Sequence, residues 1–364
     1  MFIQEIKCVQ WRNLEKVDLT LSDHLIIVQG ENAQGKTNLL EAIYFLSRGG
    51  SFRRSKDQEL VMWGGSYSYL GARICDGNSY FWKEVAIRPS LKKEWKINGH
   101  PGLGKRGIWL VGHFPGDREI VAGPPQARRE HLDDAIGFVY PAHATLVNQY
   151  ERVLARRNLL LREHADEELL ATYTDKLIMV GKKVVMGRLQ YLKLYVPFLK
   201  DFYARLGMND QPLQVRYQPV GYPLSDQMVV DLEKGFESVR CEEREREMTL
   251  VGPHRDEIVF EKNGYEFRSY GSQGEKKSLT LSIKLAEMSV IQLIKKCQAI
   301  VILDDVFSEL DRVHQDLLLE EILKQGQVFI STTRMNTDWS RYRKGKITVL
   351  KVEKGRIVEG MTDE

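Results

Sequence analysis

Apolar positions along this chain fall into three regimes. From residue 1 to about 110 they form short runs and alternations. Phe2 to Val9 partly alternates, and Leu25-Ile26-Ile27-Val28 is wholly apolar and ends at Gly30, as expected of a strand buried in a parallel sheet. Ser66 to Ile97 holds aromatic and β-branched runs, and the breaks at Asp76-Gly77-Asn78 and Asn98-Gly99 predict hairpins. From about 126 to 240 the period becomes helical. Leu146, Val147, Tyr150, Val153, Leu154, Leu160 and Leu161 recur at helical spacing, and Tyr173, Leu177, Val180 and Val184 share one face. These runs predict amphipathic helices of ordinary length packed on one another, with heptads too brief for an extended coiled coil. From about 245 the mixed pattern returns. It predicts a hairpin about Asn263-Gly264, a helix from Gly274 to Lys296, buried strands at Ala299–Leu303 and Val328–Ile330, and a last strand at Ile347–Val352. The expectation is a discontinuous α/β domain (1–125 with 245–364) carrying a helical insertion (126–244).

Composition narrows the class. The chain has 364 residues, 43% hydrophobic and 28% charged, which suits a globular protein with a large core. Met1 to Lys7 lacks the basic leader and apolar run of a signal peptide, and no apolar stretch is long enough to span a bilayer, so a cytoplasmic protein is expected. Cys8, Cys75, Cys241 and Cys297 lie at no metal-ligand spacing and are expected as reduced thiols. The net charge of +3 permits nucleic-acid binding without arguing for it.

The sharpest chemistry lies at Gly30-Glu31-Asn32-Ala33-Gln34-Gly35-Lys36-Thr37, followed by Asn38. It fits the G-x-x-x-x-G-K-[ST] pattern, with an apolar strand before it and a helical pattern (Leu39, Leu40, Ile43, Tyr44, Leu46) after it. The glycines let the backbone curl so that its N–H groups face phosphates, and the helix presents its positive end to them. Lys36 is expected to reach the β- and γ-phosphates of ATP, and Thr37 to ligate Mg2+. The strand Ile300-Val301-Ile302-Leu303 ends in Asp304-Asp305. An unpaired buried carboxylate is costly, and a cation removes the cost. Asp304 is therefore expected to hold the magnesium, and Asp305 to orient or deprotonate the attacking water.

Between these motifs stands Tyr270-Gly271-Ser272-Gln273-Gly274-Glu275, which resembles the signature loop of ATP-binding-cassette ATPases, and Ser272 with Glu275 also forms a capping box. Ser308-Glu309-Leu310-Asp311 resembles the cassette D-loop. The ordered set identifies the chain as an α/β P-loop NTPase of the ATP-binding-cassette, SMC-head type. In such proteins the signature loop caps the γ-phosphate bound to the opposite subunit. The resemblance therefore implies an ATP-dependent homodimer in which Ser272, Gln273 and the Gly274 amide meet the partner's nucleotide. More specific segments resemble the RecF family of bacterial recombinational DNA repair: Ile-Gln-Glu-Ile…Trp-Arg-Asn-Leu at residues 3–14, Gly49-Gly50-Ser51-Phe52-Arg53, Phe114-Pro115-Gly116-Asp117 with Gly123-Pro124-Pro125 and Arg128-Arg129, and above all Gly252-Pro253-His254-Arg255-Asp256. These landmarks run in family order from residue 3 to 311.

The sequence also departs from the families it resembles. Glu275 and Lys277 stand where the family commonly has Gln and Arg, and a carboxylate near a γ-phosphate would weaken dimerisation. Gly116-Asp117-Arg118 replaces the usual acidic pair. Ser331-Thr332-Thr333 follows the Val328–Ile330 strand where transporters carry a switch histidine, and Asp305 stands where they have glutamate, which implies slow hydrolysis. By resemblance to RecF, the ligand is duplex DNA beside a single-stranded gap, the partner is the RecR mediator with RecO, and the outcome is RecA loading. Basic residues cluster at Arg48, Arg53, Arg54 and Lys56; Lys92, Lys93 and Lys96; Lys105 and Arg106; Arg152, Arg156, Arg157 and Arg162; and Lys182, Lys183 and Arg188. Of these, Arg53, Arg54, Lys56, Lys105 and Arg106 are the expected sequence-independent DNA phosphate contacts. The alternatives are a cassette subunit of a transporter or other non-DNA complex, and a chromosome-structure ATPase. The missing switch histidine argues against the former, and the lack of sustained heptads between Lys36 and Ser272 against the latter.

Overall fold

The computed structural model describes residues 1–77, 79–102, 107–206, 212–308, 312–324, 326–333 and 347–363. The chain divides into two compact units, Met1–Asp117 with Glu287–Glu364, and Arg118–Ala286. Among the described residues, no helix is long and apolar enough to cross a membrane, and the four cysteines are free.

The first unit contains two six-stranded sheets. One is antiparallel, in the order Leu14–Thr20, Phe2–Trp11, Ser68–Asp76, Ser79–Ile87, Glu94–Ile97, His100–Pro101. Asp76 pairs with Ser79 and Ile97 with His100, so hairpins fall at the two expected breaks. The other runs Arg356–Asp363, Ile347–Glu353, Leu25–Gln29, Val328–Thr332, Ile300–Leu303, Leu110–His113, and is parallel except for its first pair. Leu25–Gln29 and Ile300–Leu303 are buried at every position, which is why both read as unbroken apolar runs. The helix Lys36–Arg48 packs against strands of both sheets. Leu39, Leu40, Ile43 and Phe45 join Ile6, Trp11, Ile26, Ile302 and Phe329 in one core.

One residue breaks the alternation of the Ser79–Ile87 strand. Lys83 sits on the core face with Val85 and Ile87, is fully buried, and makes no side-chain hydrogen bond; its ammonium lies 5.2 Å over the Trp95 ring. Burial pulls its pKa down from 10.5 to about 8. Between about pH 8 and 10.5 the unfolded chain binds the proton that the folded chain has released, so stability rises with pH across that window, by up to roughly 3 kcal/mol. Lys83→Met is expected to stabilise the protein by about 1–3 kcal/mol at pH 7 and to flatten that rise. A urea midpoint that falls, or keeps its slope above pH 8, would contradict the charge-burial account.

The second unit is mainly helical: Pro125–Val139, Pro141–Arg162, Glu167–Arg205, Met228–Arg246 and the first part of Gln273–Lys295. A three-stranded antiparallel sheet, Tyr265–Glu266, Glu257–Lys262, Leu213–Gln218, completes it. Its boundaries, Arg118 and Ala286, lie outside the 126–244 drawn from the helical spacing of apolar positions. Strand patterning resumes near 245, but the strand at 257–262 pairs with 213–218 within the helical unit, and Arg128 grips Glu257 at 2.8 Å. The helices also exceed ordinary length. Glu167–Arg205 is 39 residues long, roughly 58 Å at 1.5 Å per residue, and it contains Gly181, Gly187 and Pro197. Gly187 is there for close approach, since a Cβ would stand 2.6 Å from His143 Nδ1 on the neighbouring helix.

Candidate functional site

The first site is built at the ends of the parallel strands. The Leu25–Gln29 strand delivers the chain to Gly30, and the helix begins at Lys36. Between them Ala33 (φ 65°) and Gly35 (φ 119°) take left-handed backbone. A Cβ on Gly35 would lie 2.8 Å from Asn13 Oδ1, so glycine is required where the loop is braced from outside. Asn13 donates to Gln34 O at 3.2 Å and accepts from Asn38 Nδ2 at 2.8 Å, while Trp11 Nε1 donates to Asn38 O at 2.9 Å. Half-buried Gln34 accepts from Lys354 N at its side-chain Oε1 and from Gly355 N at its backbone O; Glu31 and Asn32 are exposed. Lys36 Nζ folds back to donate to Gly30 O and Glu31 O, each at 2.8 Å. Its pKa is lowered by burial, against the opposing pull of Asp305 and Asp304.

Asp304 and Asp305 meet this loop. Asp304 Oδ1 accepts from Ser331 Oγ at 2.6 Å and from Thr37 Oγ1 at 3.1 Å, and Ser331 Oγ in turn accepts from Asp305 N at 2.8 Å. Burial raises the Asp304 pKa, and the hydroxyls of Ser331 and Thr37 counter it. Asp305 adopts φ 54°, an uncommon left-handed conformation for a non-glycine residue. Lys36, Thr37, Asp304, Asp305, Ser331 and Arg53, with Asn32, Ala33, Gly35 and Asn38 of the loop, line a cleft of about 210 Å³. Sequence reasoning missed Ser331 as a site residue and registered it only as the absence of a histidine. Among the described residues no group of three or more His, Cys, Asp and Glu could enclose a metal. One hydroxyl and one carboxylate instead fit a hard divalent cation such as magnesium, which would take its remaining ligands from water and phosphate oxygens.

Arg53 belongs to this cleft. Its Nη1 donates to Asn38 Oδ1 at 2.8 Å and to Glu41 Oε2 at 3.3 Å. Glu41 is fully buried and also accepts from both Arg12 Nε and Nη2, and from Ser51 Oγ. The segments 3–14 and 49–53 thus converge on one carboxylate of the P-loop helix. Arg54 and Lys56 are exposed, while Lys105 and Arg106 lie outside the described residues. Two other members of the basic clusters are interior residues. Arg157 is paired with Glu243 at 2.6 Å and Arg188 with Asp133 at 2.6 Å, all largely buried.

The signature turn lies in the second unit. Ser272, Gln273 and Gly274 are exposed at the start of the Gln273–Lys295 helix. The capping box forms: Ser272 N donates to Glu275 Oε2 at 2.8 Å, and Glu275 N to Ser272 Oγ at 3.3 Å. Glu275 also accepts from Lys262 Nζ at 2.6 Å. Its pKa is held well below the usual carboxylate range by Lys262 first and the Ser272 amide second. The charge expected to disfavour a nearby phosphate is therefore offset locally. A Cβ on Gly274 would meet nothing within 4 Å, so nothing in its own packing requires glycine there. Of the D-loop match, residues 309–311 lie outside the described residues. Gly252–Asp256 works inside the helical unit. His254 Nε2 faces Thr249 O at 3.2 Å, and a carbonyl can only accept, so Nδ1 accepts from Tyr150 OH at 2.8 Å. Burial lowers the His254 pKa to about 4 and keeps the ring neutral. Asp256 accepts from Tyr217 OH, Tyr222 OH and Val220 N.

No protein-family model matches the chain. Among curated proteins, the DNA replication and repair protein RecF of Bacillus subtilis (strain 168) is 34% identical over 352 residues, spanning 92% of this chain and 94% of that protein. Among solved structures, the recombination mediator protein RecF with ATPrS, of the RecFOR pathway, aligns with a TM-score of 0.87 at 28% identity, covering 98% of this chain and 97% of the other. The Smc head domain of Pyrococcus furiosus, with an extended coiled coil and bound to the C-terminal domain of ScpA, aligns over all of this chain and 96% of its own at a TM-score of 0.56 and 15% identity, a likeness of fold alone. With cassette-type, SMC-head architecture and this identity over nearly its whole length, the chain belongs to the RecF family of DNA replication and repair proteins.

Proposed function

We propose that this protein is an ATP-hydrolysing switch that dimerises on duplex DNA beside single-stranded gaps. The observation that carries this reading is the convergence of Lys36, Thr37, Asp304 and Asp305 on one cleft at the ends of the parallel strands. Lys36 exchanges its loop carbonyls for the β- and γ-phosphates of ATP, and Arg53 adds a second cation from the cleft wall. Thr37 and Asp304 hold Mg2+, whose chemistry is to neutralise charge on the phosphate oxygens. Asp305 orients or deprotonates the water, from a side chain one methylene shorter than glutamate, so turnover is slow; DNA stimulates it. Ser272 and the Gly274 amide cap the γ-phosphate held by a second copy, and hydrolysis removes that bridge and releases the dimer. Arg54 and Lys56, with Lys105 and Arg106, contact DNA phosphates without reading sequence. The bound dimer recruits RecR with RecO, in the cytoplasm, so that RecA is loaded.

Sedimentation of the wild type, Lys36→Ala and Ser272→Ala with ATP and Mg2+, with and without gapped duplex DNA, tests this reading. The wild type alone should form an ATP-dependent dimer that co-sediments with DNA. A wild type that stays monomeric and ignores DNA would overturn the switch and favour a nucleotide-binding head serving some other partner.

A further inference from the structure

A second cleft, of about 260 Å³, opens beside the signature turn within the helical unit. The hairpin turn at Asn263-Gly264 brings Lys262 and Tyr265 alongside the short Phe267–Tyr270 helix. The chain then doubles back at Gly271, where a Cβ would stand 2.8 Å from Phe267 O. Phe267, 2% exposed, is packed edge-to-face on Tyr203. Tyr265 and Tyr270 are 60% and 73% exposed, with ring centroids 5.2 Å apart at 62°. Two large rings so exposed, set edge to face over a recess, leave aromatic faces open to a third flat ring. The rim is polar. The Glu275 carboxylate, fixed by Lys262 and the Ser272 amide, keeps lone pairs for an exocyclic amine, and Lys262 and Asn263 supply donors.

We infer that this cleft is a purine subsite that takes the adenine ring of the ATP held at the P-loop of a second copy of this chain. The inference rests on the proposed role of Ser272 as the trans cap of that nucleotide's phosphate. Tyr270 lies two residues before Ser272, no more than about 7 Å along an extended chain, so a nucleotide capped at Ser272 has its own base within reach of the tyrosines. An apolar-faced ring with donors and acceptors on its edge matches stacking tyrosines under a polar rim, and base stacking of this kind strengthens binding about tenfold or more. The subsite makes the dimer contact read the base as well as the phosphate.

The test is an ATP titration of dimerisation, followed by sedimentation velocity with Mg2+, for the wild type, Tyr270→Ala, Tyr265→Ala, Tyr270→Phe and Ser272→Ala. The ATP concentration for half-maximal dimer should rise about tenfold in either alanine variant and recover in Tyr270→Phe. ATP affinity measured at protein concentrations too dilute to dimerise should stay unchanged in the tyrosine variants. Alanine variants that dimerise at wild-type ATP concentrations overturn the subsite. If they do so while losing affinity for a fluorescent single-stranded oligonucleotide, the cleft takes a DNA base instead, and the inference also fails. A wild type that does not dimerise, or a Ser272→Ala that dimerises unimpaired, removes the trans cap itself and is a separate failure.

Discussion

Asp305→Asn is expected to lower steady-state ATP turnover by roughly 10²-fold or more while leaving nucleotide binding near the wild-type level. The amide keeps the size of the side chain and its place on the cleft wall beside Lys36 and Ser331, but it cannot accept a proton from water. Magnesium coordination should survive, because Thr37 and Asp304 are untouched. A dimer that cannot hydrolyse its bridge should also persist, so the ATP-bound dimer should outlast the wild type's in a chase with excess ADP. Turnover within a few-fold of wild type would remove Asp305 from the role of base. The companion Asp304→Asn variant separates the two carboxylates, since its turnover should respond to added Mg2+ concentration and that of Asp305→Asn should not.

The second large effect concerns the helical unit. Arg157→Ala is expected to cost about 3–5 kcal/mol, because it strands a buried carboxylate. Arg157 donates to Glu243 Oε2 at 2.6 Å, to Thr249 Oγ1 at 2.8 Å and to Thr174 Oγ1 at 2.9 Å, and its guanidinium lies 4.9 Å over the Phe236 ring. Arg157 and Glu243 are 3% and 1% exposed. Replacing both partners, Arg157→Met with Glu243→Leu, should recover most of the loss, since no unpaired charge then remains. Urea unfolding of the single and double variants checks this. A double variant no more stable than the single one would mean that the hydroxyl and aromatic contacts, not the stranded charge, dominate.

Why the P-loop is legible in the sequence and its surroundings less so has a physical cause. A phosphate cradle needs consecutive backbone amides, so Gly30 to Thr37 must be contiguous and the pattern is visible. The buried strands around it are visible because burial on both faces demands unbroken apolar runs. Ser331 acquires its role only when Val328–Thr332 lies between Leu25–Gln29 and Ile300–Leu303, and a single serine carries no pattern. Arg53 stands in a run of basic residues, and nothing local in the sequence shows that Asn38 and Glu41 hold it in the cleft beside Lys36 and Thr37. Arg157 and Arg188 look like solvated helix faces because their partners, Glu243 and Asp133, are remote in sequence. The unbroken 39-residue helix is hidden by glycines and a proline that resemble breakers, one of them needed for contact with His143.

The pairing of Leu25 with Val328 and Ile347 bears on how the protein is made. The strand that leads into the Gly30–Thr37 loop is made about 300 residues before either of the two strands that flank it. Until then, a fully apolar edge stands unpaired and open to association with other chains. The helical unit, drawn from one continuous stretch of chain, is complete at Ala286, before either of those strands is made. The helical unit can therefore fold while the sheet around Leu25–Gln29 is still incomplete, and the Gly30–Thr37 loop gains both flanking strands only after residues 328–353 have been made. A nascent or prematurely ended chain would carry Gly30–Thr37 and yet lack the strands that hold Asp304 and Ser331 beside it.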